Sequence, residues 1–317
     1  MSGRTMSEQK IAFLFPGQGS QAVGMGRDLA EKFTVGRDTF AEADAALGYP
    51  LSKLCFEGPA EQLKQTEFTQ PAIFAVSMAA YRVLASRGVE PQIAAGHSLG
   101  EYAACAAAGM MSFADAIRAL RSRGRFMQEA VPEGQGAMAA VLGLDADAVR
   151  DVCKAAADET KEIVSPANLN SPHQIVISGS TAGVARASEL ATEKGAKKVV
   201  PLQVSAPFHC ALMQPAQERL AEVLKTIEVQ DPRFPIVSNV TAEATKKGRR
   251  ERELLIEQVT APVRWVESMR CMIDAGASTF VEVGPGKVLS GLLRQMDRSV
   301  KCVHVEDGAS LDKALAG

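Results

Sequence analysis

Gln92-Ile93-Ala94-Ala95-Gly96-His97-Ser98-Leu99-Gly100-Glu101-Tyr102-Ala103-Ala104-Cys105-Ala106-Ala107-Ala108-Gly109 is the stretch on which the reading of this chain turns. Its first four residues predict a short strand, and Leu99 to Ala108 predict an alanine-rich helix stopped by Gly109. Ser98 falls on the turn between them, flanked by Gly96 and Gly100 in the pattern Gly-x-Ser-x-Gly. An elbow of this kind leaves no room for β-carbons at the flanking positions and exposes the serine hydroxyl. A serine between glycines in an ordinary loop has the same letters, but the strand before it and the helix after it favour a nucleophile.

Outward from the elbow, Ile11 to Phe15 form a short apolar run that stops at Pro16-Gly17, the pattern of a buried strand feeding a turn. A helix-rich stretch from about Gly26 to Gly88 follows, and Pro71-Ala72-Ile73-Phe74-Ala75-Val76 is apolar on all sides, as a central helix would be. Between Gly134 and Val204 the pattern changes. Strand Ala137 to Val141, helix Ala146 to Ala157, strands Glu162 to Pro166 and Gln174 to Ser178, helix Thr181 to Lys194 and strand Lys198 to Val204 form a split β-α-β arrangement. Strands Pro235 to Asn239, Thr279 to Val283 and Lys301 to Val305 then alternate with helices again. The expected fold is α/β. A large α/β-hydrolase-like domain, 11–133 and 205–317, carries an inserted ferredoxin-like domain, 134–204.

Bulk properties exclude several classes. The 317 residues, 46% hydrophobic, can bury a large core. Met1 to Lys10 is polar and no run of 18 uncharged apolar residues occurs, so neither a signal peptide nor a spanning helix is expected, and the cytoplasm is the expected compartment. A net charge of −2, with three Tyr and one Trp, gives no pull on nucleic acid and little to stack on bases. The six cysteines lack a Cys-x-x-Cys pair and are expected to be reduced, mostly buried thiols. The charge run Lys246 to Glu253 reads as a solvated loop and helix start.

A serine hydroxyl is a weak nucleophile at neutral pH and needs a base and a stabilised oxyanion. The four histidines are the candidates for that base. His97 adjoins the serine in a tight turn and is expected to point elsewhere. His304 sits in the alternating strand Val303-His304-Val305, and His173 in a solvated turn. His209 follows the insert as the chain re-enters the large domain, but position alone leaves its role open. Its neighbour Cys210 is expected to point away from it.

Helix Ser112 to Ala130 has an apolar stripe of Phe113, Ala116, Ile117, Leu120, Gly124 and Met127. At 100° per residue, Arg123 lies about 70° from the centre of the stripe and Arg121 about 90°, with Arg118 and Arg125 on the far side. Arg123 is therefore the arginine best placed to look inward. Its partner is open at this point: one of the 37 acidic side chains of the chain, or an acidic substrate.

Three other readings compete. Gly17-Gln18-Gly19-Ser20-Gln21-Ala22 fits the dinucleotide fingerprint, although Pro16 precedes it and no strand ending in an acid follows at the right distance. A thioesterase or lipase shares the elbow, and a non-catalytic carrier-binding module is the remaining class.

Taken together, Phe15-Pro16-Gly17-Gln18-Gly19-Ser20-Gln21, Gly96 to Glu101, Arg123, Phe208-His209 and Val283-Gly284-Pro285-Gly286 closely resemble the bacterial malonyl-CoA:acyl carrier protein transacylase family. The resemblance runs from Ile11 to about Val305 and includes the insert. It implies a Ser98–His209 dyad, with the backbone amides of Gln18 and Leu99 donating to the oxyanion. It also implies that the Gln258 carbonyl orients His209 and that Arg123 grips the substrate's free carboxylate. Phe208 departs from the serine commoner before that histidine, and in related domains Phe there goes with malonyl rather than methylmalonyl. Malonyl-CoA is the implied substrate, with no cofactor and no metal, since the phosphopantetheine comes on the partner. That partner is acyl carrier protein, and the enzyme is expected to be a monomer that serves fatty acid biosynthesis. Lys194, Lys197 and Lys198, or the run Lys246 to Arg252, are candidates for carrier docking.

Overall fold

The computed structural model describes residues 10–204 and 206–316. The polar stretch Met1 to Lys10, apart from Lys10 itself, and the boundary residue Ser205 lie outside the described residues. The chain is α/β, with ten strands among the described residues: β1 (Ile11–Phe15), β2 (Ile93–Gly96), β3 (Gly136–Leu142), β4 (Val164–Ser171), β5 (Gln174–Ser180), β6 (Lys198–Pro201), β7 (Ile236–Val237), β8 (Ala244–Thr245), β9 (Thr279–Val283) and β10 (Lys301–Val305).

The first sheet has the order β10-β9-β1-β2-β7-β8, parallel except for β8. β1 lies within the sheet and is buried on both faces, which is why it reads as an unbroken apolar run. Phe13 and Phe15 face the core formed with helix Thr66–Ser86, while Ala12 and Leu14 face the layer holding Trp265, Met269 and Leu293. A fully buried side chain of the size of Phe13 contributes roughly 2–3 kcal/mol by leaving water. The pairing of Phe15 with Gly96 sets the ends of β1 and β2 side by side, so the Pro16 turn and the Ser98 turn emerge together. The functional site is built on that edge.

The second sheet has the order β4-β5-β3-β6 with every neighbour antiparallel. Alternation decides its two faces. Ala139, Val141, Ile175 and Ile177 pack under helices Ala146–Thr160 and Thr181–Glu193, whereas Met138, Ala140 and Val176 join the large core.

Several expected strands need adjusting. Glu162 to Pro166 is replaced by Val164–Ser171, whose second half carries the buried polar residues Asn168, Asn170 and Ser171 and two register shifts against β5. Polar letters hid that extension. Lys198 to Val204 stops at Pro201, because Leu202, Gln203 and Val204 leave the sheet to line the cavity described below. Pro235 to Asn239 shrinks to Ile236–Val237, since Asn239 turns its side chain towards the Ser98 elbow. β9 and β10 coincide with the expected ranges.

Candidate active site

The elbow is built from three constraints. Ser98 has φ 52°, a left-handed backbone that costs an L-residue of order 1–3 kcal/mol. A β-carbon on Gly96 would stand 1.9 Å from the carbonyl carbon of Gly100, and one on Gly100 would stand 2.2 Å from the Phe15 oxygen. Asn239 then ties the turn shut: its Oδ1 accepts from the Ser98 N–H at 2.7 Å and its Nδ2 donates to the Gly96 carbonyl at 2.7 Å. Hydrogen bonds therefore offset the strain, and the hydroxyl stands proud of the turn.

His209 meets it. Its Nε2 lies 2.8 Å from Ser98 Oγ, and its own φ of 58° shows a second strained residue at the same place. Nδ1 faces two carbonyl oxygens, Gln258 at 2.9 Å and Ala261 at 3.1 Å. Carbonyls only accept, so Nδ1 carries the proton and Nε2 is left as the acceptor for the serine O–H. Burial, reinforced by the charge of Arg123, pushes the His209 pKa from 6.5 down to about 3. The ring is thus held neutral, with the Nε2 lone pair free to accept the serine O–H.

Arg123 occupies the inward position on helix Phe113–Glu129 and is only 1% exposed. Its Nη2 donates to Ser98 Oγ at 3.0 Å and to Gln258 Oε1 at 2.9 Å, and its Nη1 donates to Gln70 Oε1 at 2.9 Å. Nε has no partner, and no carboxylate of the described residues forms an ion pair with this guanidinium. Arg118 and Arg125, by contrast, pair with Asp115 and Glu129 on the exposed side. A buried cation with neutral partners and a spare donor has the charge and the N–H group to receive an anion.

These groups line one cavity of about 790 Å³, together with Gln18, His97, Leu99, Asn168, Phe208 and others. No hydrogen bond to a described residue occupies the backbone N–H of Gln18 or Leu99. His97 points away from Ser98, its Nε2 2.8 Å from Asn170 Oδ1 and its ring against Trp265, yet it still walls the cavity. Cys210 donates from Sγ to the Pro207 carbonyl, and His173 is exposed, so neither joins the site. His304 lies in β10 with Nε2 3.6 Å from Glu306 Oε1. The loop Gly17 to Ala22 precedes turns rather than a helix, the next helix starting at Arg27, which removes the platform a dinucleotide needs.

Sequence reasoning missed Gln70, Asn239 and Ala261 as parts of the site. It also placed the whole Lys246 to Glu253 run in solvent, whereas Glu251 is fully buried against Glu101. Asn239 carried a faint signal, an asparagine ending an apolar strand; the others carried none.

Comparison with known proteins accords with this geometry. Residues 12–312 match the family described as the acyl transferase domain. The malonyl CoA-acyl carrier protein transacylase of Bacillus subtilis (strain 168) is 49% identical over 306 residues, covering 96% of this chain and 96% of that protein. The chain belongs to the malonyl CoA-acyl carrier protein transacylase family. Among solved structures of this transacylase family, the acyl carrier protein S-malonyltransferase of Vibrio cholerae O1 biovar eltor str. N16961 superposes with a TM-score of 0.94 at 47% identity, covering 96% of this chain and 99% of that one. A malonyl-transacylase in complex with its type II PKS acyl-carrier protein gives a TM-score of 0.94 at 46% identity, covering 97% and 99%. Among the described residues no group of three or more His, Cys, Asp or Glu could hold a metal ion, and no helix is long and apolar enough to cross a membrane.

Proposed function

We propose that this chain carries malonyl from coenzyme A to the phosphopantetheine thiol of an acyl carrier protein, through a malonyl ester on Ser98. The observation that carries the reading is the convergence on one hydroxyl of a neutral base, His209 Nε2 at 2.8 Å, and a buried cation without an ion pair, Arg123 Nη2 at 3.0 Å.

Malonyl enters with its carboxylate on the Arg123 guanidinium. His209 takes the Oγ proton as the oxygen bonds to the thioester carbon, and the amides of Gln18 and Leu99 hold the oxyanion. The C–S bond then breaks, and the imidazolium gives its proton to the departing thiolate sulfur, so that coenzyme A leaves as a thiol. The carrier's thiol repeats the steps in reverse order, giving ping-pong kinetics. Exchange of thioester for thioester is close to energetically neutral, so the reading requires neither ATP nor a cofactor. Phe208, on the cavity wall, narrows the acyl pocket towards malonyl.

The finer architecture belongs to the same reading. Residues 11–133 and 205–317 form an α/β-hydrolase-like domain and 134–204 a ferredoxin-like insert, supported by the parallel order of the first sheet and the β-α-β-β-α-β order of the second. The enzyme acts as a cytoplasmic monomer in fatty acid biosynthesis. Lys197 and Lys198 are the basic residues favoured for the acidic carrier. They are exposed, neither makes an ion pair with a described residue, and they precede the cavity-lining Leu202 to Val204; Lys194 is paired with Asp151 and Lys247 with Asp231.

Incubation with radiolabelled malonyl-CoA and peptide mapping tests the assignment. Label is expected on the peptide containing Ser98 and is released by carrier protein. A label released mainly by water would make the protein a hydrolase, and no label with Ser98→Ala as active as the parent would leave a binding module.

A further inference from the structure

Behind the elbow lie two carboxyl groups that the transfer steps do not use. Glu101, in the helix Gly100–Ala107, and Glu251, in the helix Gly248–Glu257, are both fully buried, and each bears on the other's protonation. We propose that the two share a single proton, and that the one negative charge left on Glu101 fixes the side-chain amide of Gln258 and, through it, Arg123 and the Ser98 turn.

Donor and acceptor accounting carries the argument. Arg123 has only donors, so the group facing its Nη2 must be the oxygen of the Gln258 amide, 2.9 Å away. The NH₂ of that amide then points the other way, to the Ser98 carbonyl at 3.0 Å and to Glu101 Oε2 at 2.6 Å. Glu101 Oε2 also accepts from the Asn239 N–H at 3.2 Å. An oxygen receiving two N–H donors has no place for a proton of its own. Two further oxygens, Glu101 Oε1 and Glu251 Oε2, are buried without a hydrogen-bond partner among the described residues, and a proton held between the two carboxyls would satisfy both. Two carboxylates cannot both ionise in such a contact without water, and one proton between them removes the conflict. Burial raises the pKa of both acids, but the N–H donors of Gln258 and Asn239 hold Glu101 back while the Glu101 charge pushes Glu251 well up, so the proton resides on Glu251, whose other oxygen accepts from Cys105 Sγ at 3.9 Å.

The amide spacer has a consequence for Arg123. A carboxylate bonded directly to the guanidinium would compete with the acyl carboxylate for the same N–H groups. With Gln258 between, Glu101 serves as a counter-ion without occupying them. Glu101 and Glu251 are positioning residues: neither lines the cavity.

The kinetic part of the test rests on malonyl transfer as assigned above, and the spectroscopic part does not. In the whole enzyme carrying ¹³C-labelled glutamate, infrared spectra at neutral pH are expected to contain an un-ionised carboxyl band that Glu251→Gln removes. The difference between the two proteins is needed because Glu282 is also buried with a raised pKa. Glu251→Ala, which removes the proton donor, is expected to lower kcat/KM for malonyl-CoA about tenfold and acetyl transfer less, since a charged hydrogen bond is lost. Glu251→Gln, which still donates to Glu101, is expected to recover most of that loss. An unchanged carboxyl band in Glu251→Gln, full activity in Glu251→Ala, or equal damage by both substitutions would overturn the proposal. If Glu251→Ala does not fold, the band and Glu251→Gln still decide it, and Ser98 labelling reports separately on the transfer reaction.

Discussion

Arg123 Nη2 donates to Ser98 Oγ at 3.0 Å, so the buried cation touches the same atom that His209 Nε2 meets at 2.8 Å. Under the proposed mechanism this contact would stabilise negative charge growing on the hydroxyl oxygen. Once an acyl carboxylate arrives, the same guanidinium is already within reach of the reacting carbon.

Arg123→Ala is therefore expected to remove selectivity as well as rate. Leaving the acyl carboxylate without its buried cation costs about 3–5 kcal/mol, which corresponds to at least a hundredfold fall in kcat/KM for malonyl-CoA. Acetyl transfer, which has no carboxylate to anchor, falls by less. Parallel assays with malonyl-CoA and acetyl-CoA check this, and an unchanged ratio of the two rates would refute the role of Arg123.

Gln258 separates two functions within one residue. Its backbone carbonyl bonds His209 Nδ1, while its side chain bonds Arg123, the Ser98 carbonyl and Glu101. Gln258→Ala keeps the first and loses the second. Malonyl transfer is expected to fall roughly tenfold or more, the scale of one lost hydrogen bond to a charged group, while Ser98 still accepts acyl label. Complete loss of labelling would mean that the side chain, not the carbonyl, holds the base.

Legibility in the sequence divides along the same line between backbone and side chain. The elbow could be read because glycine spacing encodes steric demands, and Gly96 and Gly100 meet backbone atoms within 2.2 Å of where a β-carbon would sit. Arg123 could be placed because helical periodicity fixes its face. Its partner could not, since Gln70 and Gln258 come from distant elements with no local pattern. Asn168 and Asn170 disguised half of β4 as loop, because polar residues on a strand buried against the cavity break the alternation that marks strands. Glu251 was hidden differently, one buried acid inside a run whose neighbours Lys247 and Arg250 pair at the surface.

Gly96→Ala tests the elbow as a folding constraint. With 1.9 Å available to the Gly100 carbonyl carbon, the backbone has to move, and a loss of stability of about 3 kcal/mol or more is expected. Thermal melting against the parent, read together with Ser98 labelling, checks it. A variant that melts like the parent and takes label would mean that the turn is looser than drawn.

The pH response follows from His209. Its pKa in the folded protein is lowered from 6.5 to about 3, so the ring stays proton-free throughout that interval. kcat/KM reports the free enzyme, so its acidic limb is not expected near the ordinary histidine value but well below it. Arg123 is the second cause of the depression after burial, and Arg123→Ala is expected to move the limb upward. Stability changes within that same interval. Below 6.5 the unfolded chain binds a proton that the folded ring refuses, so stability is lost progressively as pH falls from 6.5 towards 3, with His97, also depressed by burial, adding to the slope. Activity should thus persist at pH values where denaturant midpoints have begun to drop. An activity limb at the ordinary histidine value, with stability flat across it, would show that the base is solvated rather than buried.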